Sequence, residues 1–485
     1  MKHSTARAKI EYGDFQTPFE LAKRICRKLR ELGVAPAIVV EPTCGQGAFV
    51  RAAAQSFPLA QAIIGCELNA THLSTLRAAA ATDPALAKLQ LEQLDFFATD
   101  WRRKLLPLPA PILLLGNLPW VTNAVQGALG SNNLPLKQNL HGLNGLDALT
   151  GKSNFDISEW MLMRLIEALH GCQAQLAFIC KTSVARKLLA WLHRTQQPVE
   201  QAALFKIDAT SYFEVTVDAC LLFLCLGGGK TLQTCKVFAD LDDEAGLSTG
   251  WRHNILIKDL ETFDQHKELF GKGPYQWRSG IKHDCAEVME LRRLKGKLVN
   301  GFGEKVELET DFLYPLLKGA DIANGRVSVT DRLLLVTQQT VGADTRGLKL
   351  FAPKTWAYLE AHAEAFARRK SRIYRGGAPY SIFGVGRYAF APWKMAICGL
   401  YKKLDFQRIG LIEDRPVVFD DTVYFLSFDQ EAECRAVQEF LNARATRQFL
   451  DSMIFWDEKR PVKSAVLNHL KICSPNFEGD SLFPL

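Results

Sequence analysis

A chain of 485 residues, 48% hydrophobic and 23% charged, can bury a full core, and its length points to two or three domains. Lys and Arg outnumber Asp and Glu by 59 to 52, a formal charge of +7 that suits a polyanionic partner without requiring one. No apolar run reaches the ~18 residues of a membrane span, no charged-then-apolar leader opens the chain, and the twelve cysteines show no CxxC spacing. The expectation is a cytoplasmic protein with no membrane association, whose cysteines are buried free thiols with neither a disulfide frame nor a metal site among them.

The first predicted element is a helix over 18–32, opened by Thr17, Pro18 and Glu20 in the spacing of a capping box. Capping alone accounts for these residues, although an exposed helix start also offers N–H groups to an anion. A strand over 37–41 runs into Glu41-Pro42-Thr43-Cys44-Gly45-Gln46-Gly47, and a helix over 49–55 follows. Glycines two apart let main chain approach a ligand closely, and on their own an ordinary tight turn explains them equally well. The strand over 62–67 ends in Glu67-Leu68-Asn69, placing an acid about 20 residues past Gly47, the distance at which a carboxylate meets ribose hydroxyls in a nucleoside-binding βαβ unit. Beyond a helix over 70–80, the strand over 89–94 ends in Asp95-Phe96-Phe97, an acceptor for an amino group beside a flat ring. Each acid alone reads as a helix cap or a loop residue; three successive strand ends with suitable residues favour one shared ligand.

The strand over 112–115 leads into Gly116-Asn117-Leu118-Pro119-Trp120. The amide carbonyl of Asn117 and the main-chain carbonyl of Leu118, held by Pro119, can both accept hydrogen bonds from a planar NH2 while Trp120 stacks on the ring that bears it. Between Trp120 and Phe155 lies a long connection rich in Gly and Asn, which reads as a lid. A helix over 157–169, a strand over 175–180, a helix over 183–192 and a strand over 219–226 complete the alternation. Strands separated by helices imply an α/β fold with a mostly parallel, doubly wound sheet whose ligands gather at the carboxyl ends of the strands.

Past residue 245 this alternation fades into mixed α+β patterning, and basic residues such as Lys267, Lys272, Arg278 and Lys282 interleave with Phe270, Tyr275 and Trp277. The densest basic cluster, Arg368-Arg369-Lys370-Ser371-Arg372, suits contacts to a phosphate backbone, with a solvated surface helix as the plainer explanation.

Taken in order, Phe15-Gln16-Thr17-Pro18, the turn from Glu41 to Gly47, Glu67-Leu68-Asn69, Asp95-Phe96-Phe97 and Asn117-Leu118-Pro119-Trp120 resemble the motifs of the gamma-class DNA amino-methyltransferases. The likeness covers about residues 10–230. It implies a Rossmann-like class I S-adenosylmethionine-dependent methyltransferase domain over 1–245, followed by a DNA target-recognition domain over 246–485. By that likeness Thr17 and the glycine turn hold the methionine end of the cofactor, Glu67 the ribose, Asp95 the adenine amino group, and Leu68 and Phe96 the adenine faces. Phe15, Glu41, Pro42, Cys44, Gly45, Gly47 and Asn117 complete that site, while Asn117, Leu118, Pro119 and Trp120 form the catalytic turn. The family usually carries a second proline where this chain has Leu118, a position expected to contribute chiefly its carbonyl. Trp120 and, near the strand entry, Phe213 would stack on the target base, although Phe213 also reads as an ordinary core residue. Looser likenesses to recognition domains lie at 314–322 and 380–394.

The implied reaction is methylation of the exocyclic N6 amino group of adenine in double-stranded DNA after the base is extruded, as the modification half of a restriction system with a separately encoded endonuclease. Methylation of cytosine N4, of RNA or of a protein glutamine are alternatives, as is a non-catalytic DNA-binding module. The long second half argues against the glutamine enzymes, which resemble small catalytic domains. A covalent attack on carbon 5 of cytosine lacks a nucleophile, since Cys44 lies in the cofactor turn.

Overall fold

The computed structural model describes residues 16–120 and 156–474. Phe15 and the segment expected to form a lid lie outside these described residues. The chain divides into two units, Met1–Leu260 and Glu261–Leu485, so the break comes after the expected 245.

The first unit is built on ten strands: β1 (Ile38–Glu41), β2 (Ala62–Glu67), β3 (Leu89–Gln93), β4 (Ile112–Asn117), β5 (Ala174–Lys181), β6 (Pro198–Ile207), β7 (Ala219–Thr231), β8 (Thr234–Phe238), β9 (Leu247–Arg252) and β10 (Ile255–Ile257). Their order across the sheet is β10-β9-β8-β6-β7-β5-β4-β1-β2-β3. From β3 to β5 every neighbouring pair is parallel, whereas β7 lies antiparallel between β5 and β6. The late break has a simple cause: β9 and β10 are short strands that extend this same sheet by antiparallel pairing, with β10 at its edge.

The parallel strands are apolar throughout because both their faces are covered, and the two-residue alternation of side chains sorts them between two cores. Ile38, Val40, Ile64 and Leu114 pack with Leu162, Leu165 and Ile166 of the helix Ile157–Ala168. Val39, Ile63, Leu113 and Leu115 point the other way, onto Leu21, Ile25 and Leu29 of the helix Phe19–Glu31 and onto Phe49 and Val50 of the helix Ala48–Ser56.

The expected capping box is not formed. The first helix starts at Phe19 with Pro18 in the N-cap place and no side-chain cap, while Glu20 pairs with Lys23 at 2.7 Å. Pro18 has no N–H and an extended ψ of 135°, so it closes the helix from outside its first turn.

The second unit is mixed α+β. One sheet has six strands, among them Glu290–Leu294, Leu313–Leu317 and Arg332–Leu335; another has four, centred on Trp393–Cys398 and Val423–Phe428. Helices Glu431–Asn442 and Arg444–Met453 follow them in the chain. Among the described residues no helix is long and apolar enough to cross a membrane, and all twelve cysteines are free.

Candidate active site

The turn after β1 is shaped by two left-handed glycines, Gly45 at φ +50° and Gly47 at φ +83°. At Gly47 a Cβ would sit 2.6 Å from both methyls of Leu76, so sterics and backbone agree on glycine there. Gln16 folds over the turn, its Oε1 accepting the Gln46 N–H at 3.1 Å, which brings the start of the described chain against the glycines, with Thr17 half-buried next to it. Glu67, at the carboxyl end of β2, is held by main chain on both oxygens: Oε2 accepts the Gly45 N–H and Oε1 the Asn69 N–H, each at 2.8 Å. Each carboxylate oxygen keeps a further lone pair, so the group is oriented and still able to accept hydroxyls.

Glu41 and Pro42 lie deeper. Both are buried, and Glu41 Oε2 accepts the Val50 N–H at 3.0 Å. Burial pushes the Glu41 carboxyl well above the usual carboxylate range, and its bond to Val50 makes it a brace beneath the turn. Burial likewise pushes the Cys44 thiol up, with the charges of Glu41 and Glu67 adding to the effect, so Cys44 is no activated nucleophile. Thr43 Oγ1 is buried in the same turn without a hydrogen-bond partner among the described residues.

Along the sheet, Leu68 is exposed at the end of β2. Asp95 is half-buried and accepts the Phe97 N–H on Oδ1 at 2.8 Å, leaving Oδ2 for another donor. Phe96 departs from expectation: its ring packs into the core against Trp101, centroids 4.8 Å apart, and offers little surface to a nucleoside.

β4 leads into the Asn117–Trp120 turn. Asn117 is its last residue, in register with Ile179 of β5. Gly116 precedes it at φ +151°, and a Cβ there would lie 3.4 Å from Glu41 Cγ, so this strand end touches the brace below the cofactor turn. The Leu118 side chain is not idle, since it is 1% exposed and packs in the core beside Phe96 and Ile157. Trp120 is buried against Phe213, which also packs in the core. Sequence reasoning missed Lys181. Its Nζ donates to the Trp120 carbonyl at 3.2 Å and to Asp156 Oδ2 at 2.6 Å.

The basic cluster of the second unit divides. Arg368, Lys370 and Arg372 are exposed and form no ion pair among the described residues. Arg369 turns inward, donating to the carbonyls of Ser381 at 2.8 Å and His283 at 3.3 Å, with its guanidinium 3.8 Å from the centroid of the Tyr374 ring.

A glycine cradle, an oriented carboxylate and an orphaned hydroxyl at neighbouring strand ends fit an amino-acid nucleoside such as S-adenosylmethionine. No family model matches the chain. The type II methyltransferase M.NspV of Nostoc sp. (strain ATCC 29411 / PCC 7524) is 47% identical over 475 residues, 97% of this chain and 98% of that protein. Among solved structures, the Type IIL restriction-modification enzyme MmeI in complex with DNA matches 93% of this chain with a TM-score of 0.53 at 13% identity, a likeness of fold, and the match spans 64% of the MmeI chain. The fold is that of class I methyltransferases. By its near full-length identity to M.NspV the chain belongs to the type II methyltransferase family, and its cofactor is S-adenosylmethionine.

Proposed function

We propose that this chain is the modification methyltransferase of a restriction system and methylates the N6 amino group of adenine in duplex DNA. The observation that carries the reading is the placement of Asn117 at the carboxyl end of β4, in the strand next to β1, whose own end opens into the glycine cradle. Glu67 and Asp95 would hold the ribose and the adenine of the cofactor, with Gly45, Gly47 and Thr17 around its methionine end. When bound, S-adenosylmethionine supplies an electrophilic methyl group on sulfur.

The chain's own residues deal with a weak nucleophile. An exocyclic amino group shares its lone pair with the ring, so it attacks poorly. Hydrogen bonds accepted by Asn117 Oδ1 and the Leu118 carbonyl draw the nitrogen toward sp3 geometry and stabilise the positive charge that grows on it. Asn117 Oδ1 and the Leu118 carbonyl would hold the nitrogen in line as the bound cofactor gives up its methyl group and leaves as a thioether, and the methylated nitrogen would lose one proton to solvent. Alignment alone can supply several kcal/mol, up to about 7–11 in ideal systems. Because the amino group is inaccessible within a duplex, the base is extruded at a cost of a few kcal/mol and stacked on Trp120 and Phe213.

The N6 position of adenine is favoured because an asparagine opening this turn, in this order of motifs, resembles the adenine enzymes. The second unit is proposed as the target-recognition domain, with Arg368, Lys370 and Arg372 on backbone phosphates. A relative named as a type II methyltransferase and a fold shared with a restriction-modification enzyme solved on DNA support the assignment. The test is to incubate the protein with unmethylated duplex DNA and labelled cofactor, then digest to nucleosides for mass spectrometry. N6-methyl-2′-deoxyadenosine is expected. N4-methyl-2′-deoxycytidine as sole product would overturn the base assignment, and a failure to label DNA when RNA or protein added in parallel is labelled would overturn DNA as substrate.

A further inference from the structure

The ladder between β4 and β5 ends at Asn117 and Ile179, so Leu118, Pro119 and Trp120 lie beyond the last strand pairing of the catalytic turn. Two residues past Ile179, Lys181 reaches that unpaired end, its ammonium donating to the Trp120 carbonyl at 3.2 Å. The ammonium is itself fixed by Asp156 Oδ2 at 2.6 Å. Asp156 is buried, and its Oδ1 takes both the N–H of Ser158 at 3.2 Å and its hydroxyl at 2.6 Å, at the start of the helix Ile157–Ala168. Lys181 also sits where β5 gives way to the helix Thr182–Thr195, whose first N–H bonds to the Asp218 carbonyl ahead of β7. One ion pair therefore ties the catalytic turn to two helix starts.

We propose that Lys181, held by Asp156, is a positioning residue that sets the far end of the Asn117–Trp120 turn and so aims the Leu118 carbonyl and the Trp120 ring. This rests on reading the turn as the acceptor of the amino group. A charged donor clamped by a buried carboxylate suits the task, because a charge-assisted bond is shorter and stronger than a neutral one and the pairing stops the long lysine side chain from swinging. The charges also cancel, so no uncompensated cation faces a reaction centre that becomes positive. A displacement of about 1 Å in such a turn can cost roughly 100-fold in rate.

The test uses the full-length protein with unmethylated genomic DNA and tritiated S-adenosylmethionine in single turnover. Lys181→Met is expected to slow methyl transfer by ~10- to 100-fold while cofactor Kd stays within about twofold of the original, and Lys181→Arg to recover most of the loss. Asp156→Asn, which keeps the volume and the contacts to Ser158, should show the same rate-selective loss and carries the test if Lys181→Met does not fold. A single-turnover rate within about twofold of the original in the folded variant, or a loss wholly explained by weaker cofactor binding, overturns the proposal. Asn117→Ala run in parallel separates the two readings. If it retains the full rate, the turn is not the acceptor; if it is inactive while Lys181→Met is unimpaired, only the role of Lys181 fails.

Discussion

Trp120 and Phe213 meet edge to face, with ring centroids 5.1 Å apart and planes at 66°. A base held between two parallel rings needs about 7 Å, two van der Waals separations of roughly 3.5 Å each. With the rings edge to face the pair leaves no such gap, so under the proposed base-flipping reading Phe213 has to turn or withdraw for a base to enter.

Phe213→Ala should weaken capture of the extruded base by ~1–3 kcal/mol, about 5- to 150-fold, seen as a loss of the fluorescence rise of 2-aminopurine placed at the target position. Because Phe213 also packs in the core, Phe213→Leu is the control that keeps apolar volume without a ring. Equal fluorescence from Phe213→Leu and the original would assign Phe213 to packing alone.

Glu67→Gln replaces one acceptor oxygen with an NH2 that cannot take the Gly45 or Asn69 N–H. Hydrogen bonds to a charged group are worth roughly 1.5–3 kcal/mol, so S-adenosylmethionine should bind ~10- to 100-fold more weakly by calorimetry. An unchanged Kd would remove Glu67 from the cofactor site.

The basic cluster should divide functionally as it does structurally. Arg368→Ala, Lys370→Ala and Arg372→Ala are each expected to lower the slope of log binding constant against log salt by about 0.9 for every phosphate left unneutralised, with little effect on melting. Arg369→Ala should instead lower the melting temperature, since it strips a donor from the carbonyls of His283 and Ser381 at a cost of ~1–3 kcal/mol. Salt slopes that fall only for Arg369→Ala would reverse this division.

Lys394 is fully buried in the strand Trp393–Cys398 with its Nζ on the Ala391 carbonyl at 2.6 Å, and burial pushes its ammonium down from 10.5 to about 7. Between those values the unfolded chain holds a proton that the folded chain has released, so stability rises with pH, by at most about 1.4 kcal/mol per unit. Below about 7 both states are protonated and this dependence ends. Lys394→Met should raise stability at neutral pH and flatten the rise seen in denaturant titrations between about pH 7 and pH 10. A slope unaltered by the substitution would show that the lysine is solvated.

Much of the catalytic sheet was legible because parallel strands buried on both faces are short apolar runs, as at Val39-Val40 and Leu113-Leu114-Leu115. Local chemistry likewise marked the strand ends, since a carboxylate such as Glu67 has little reason to follow five buried residues unless it faces a ligand. β6 escaped notice because Glu200 and Gln201 interrupt its apolar pattern, and β8 to β10 because they are short strands toward one end of the sheet that carry polar residues.

By itself the sequence determined the α/β plan, the glycine turn and the order of the polar strand ends, all features set by backbone freedom and hydrophobic period within a few residues. Only the tertiary structure decided that Phe96 packs inward, that Arg369 serves the interior while its neighbours face solvent, and that Lys181 finds both Asp156 and the Trp120 carbonyl. Burial and charge pairing depend on residues far apart in the chain, and no local pattern around Lys181 distinguishes an ammonium clamped at a catalytic turn from one in water.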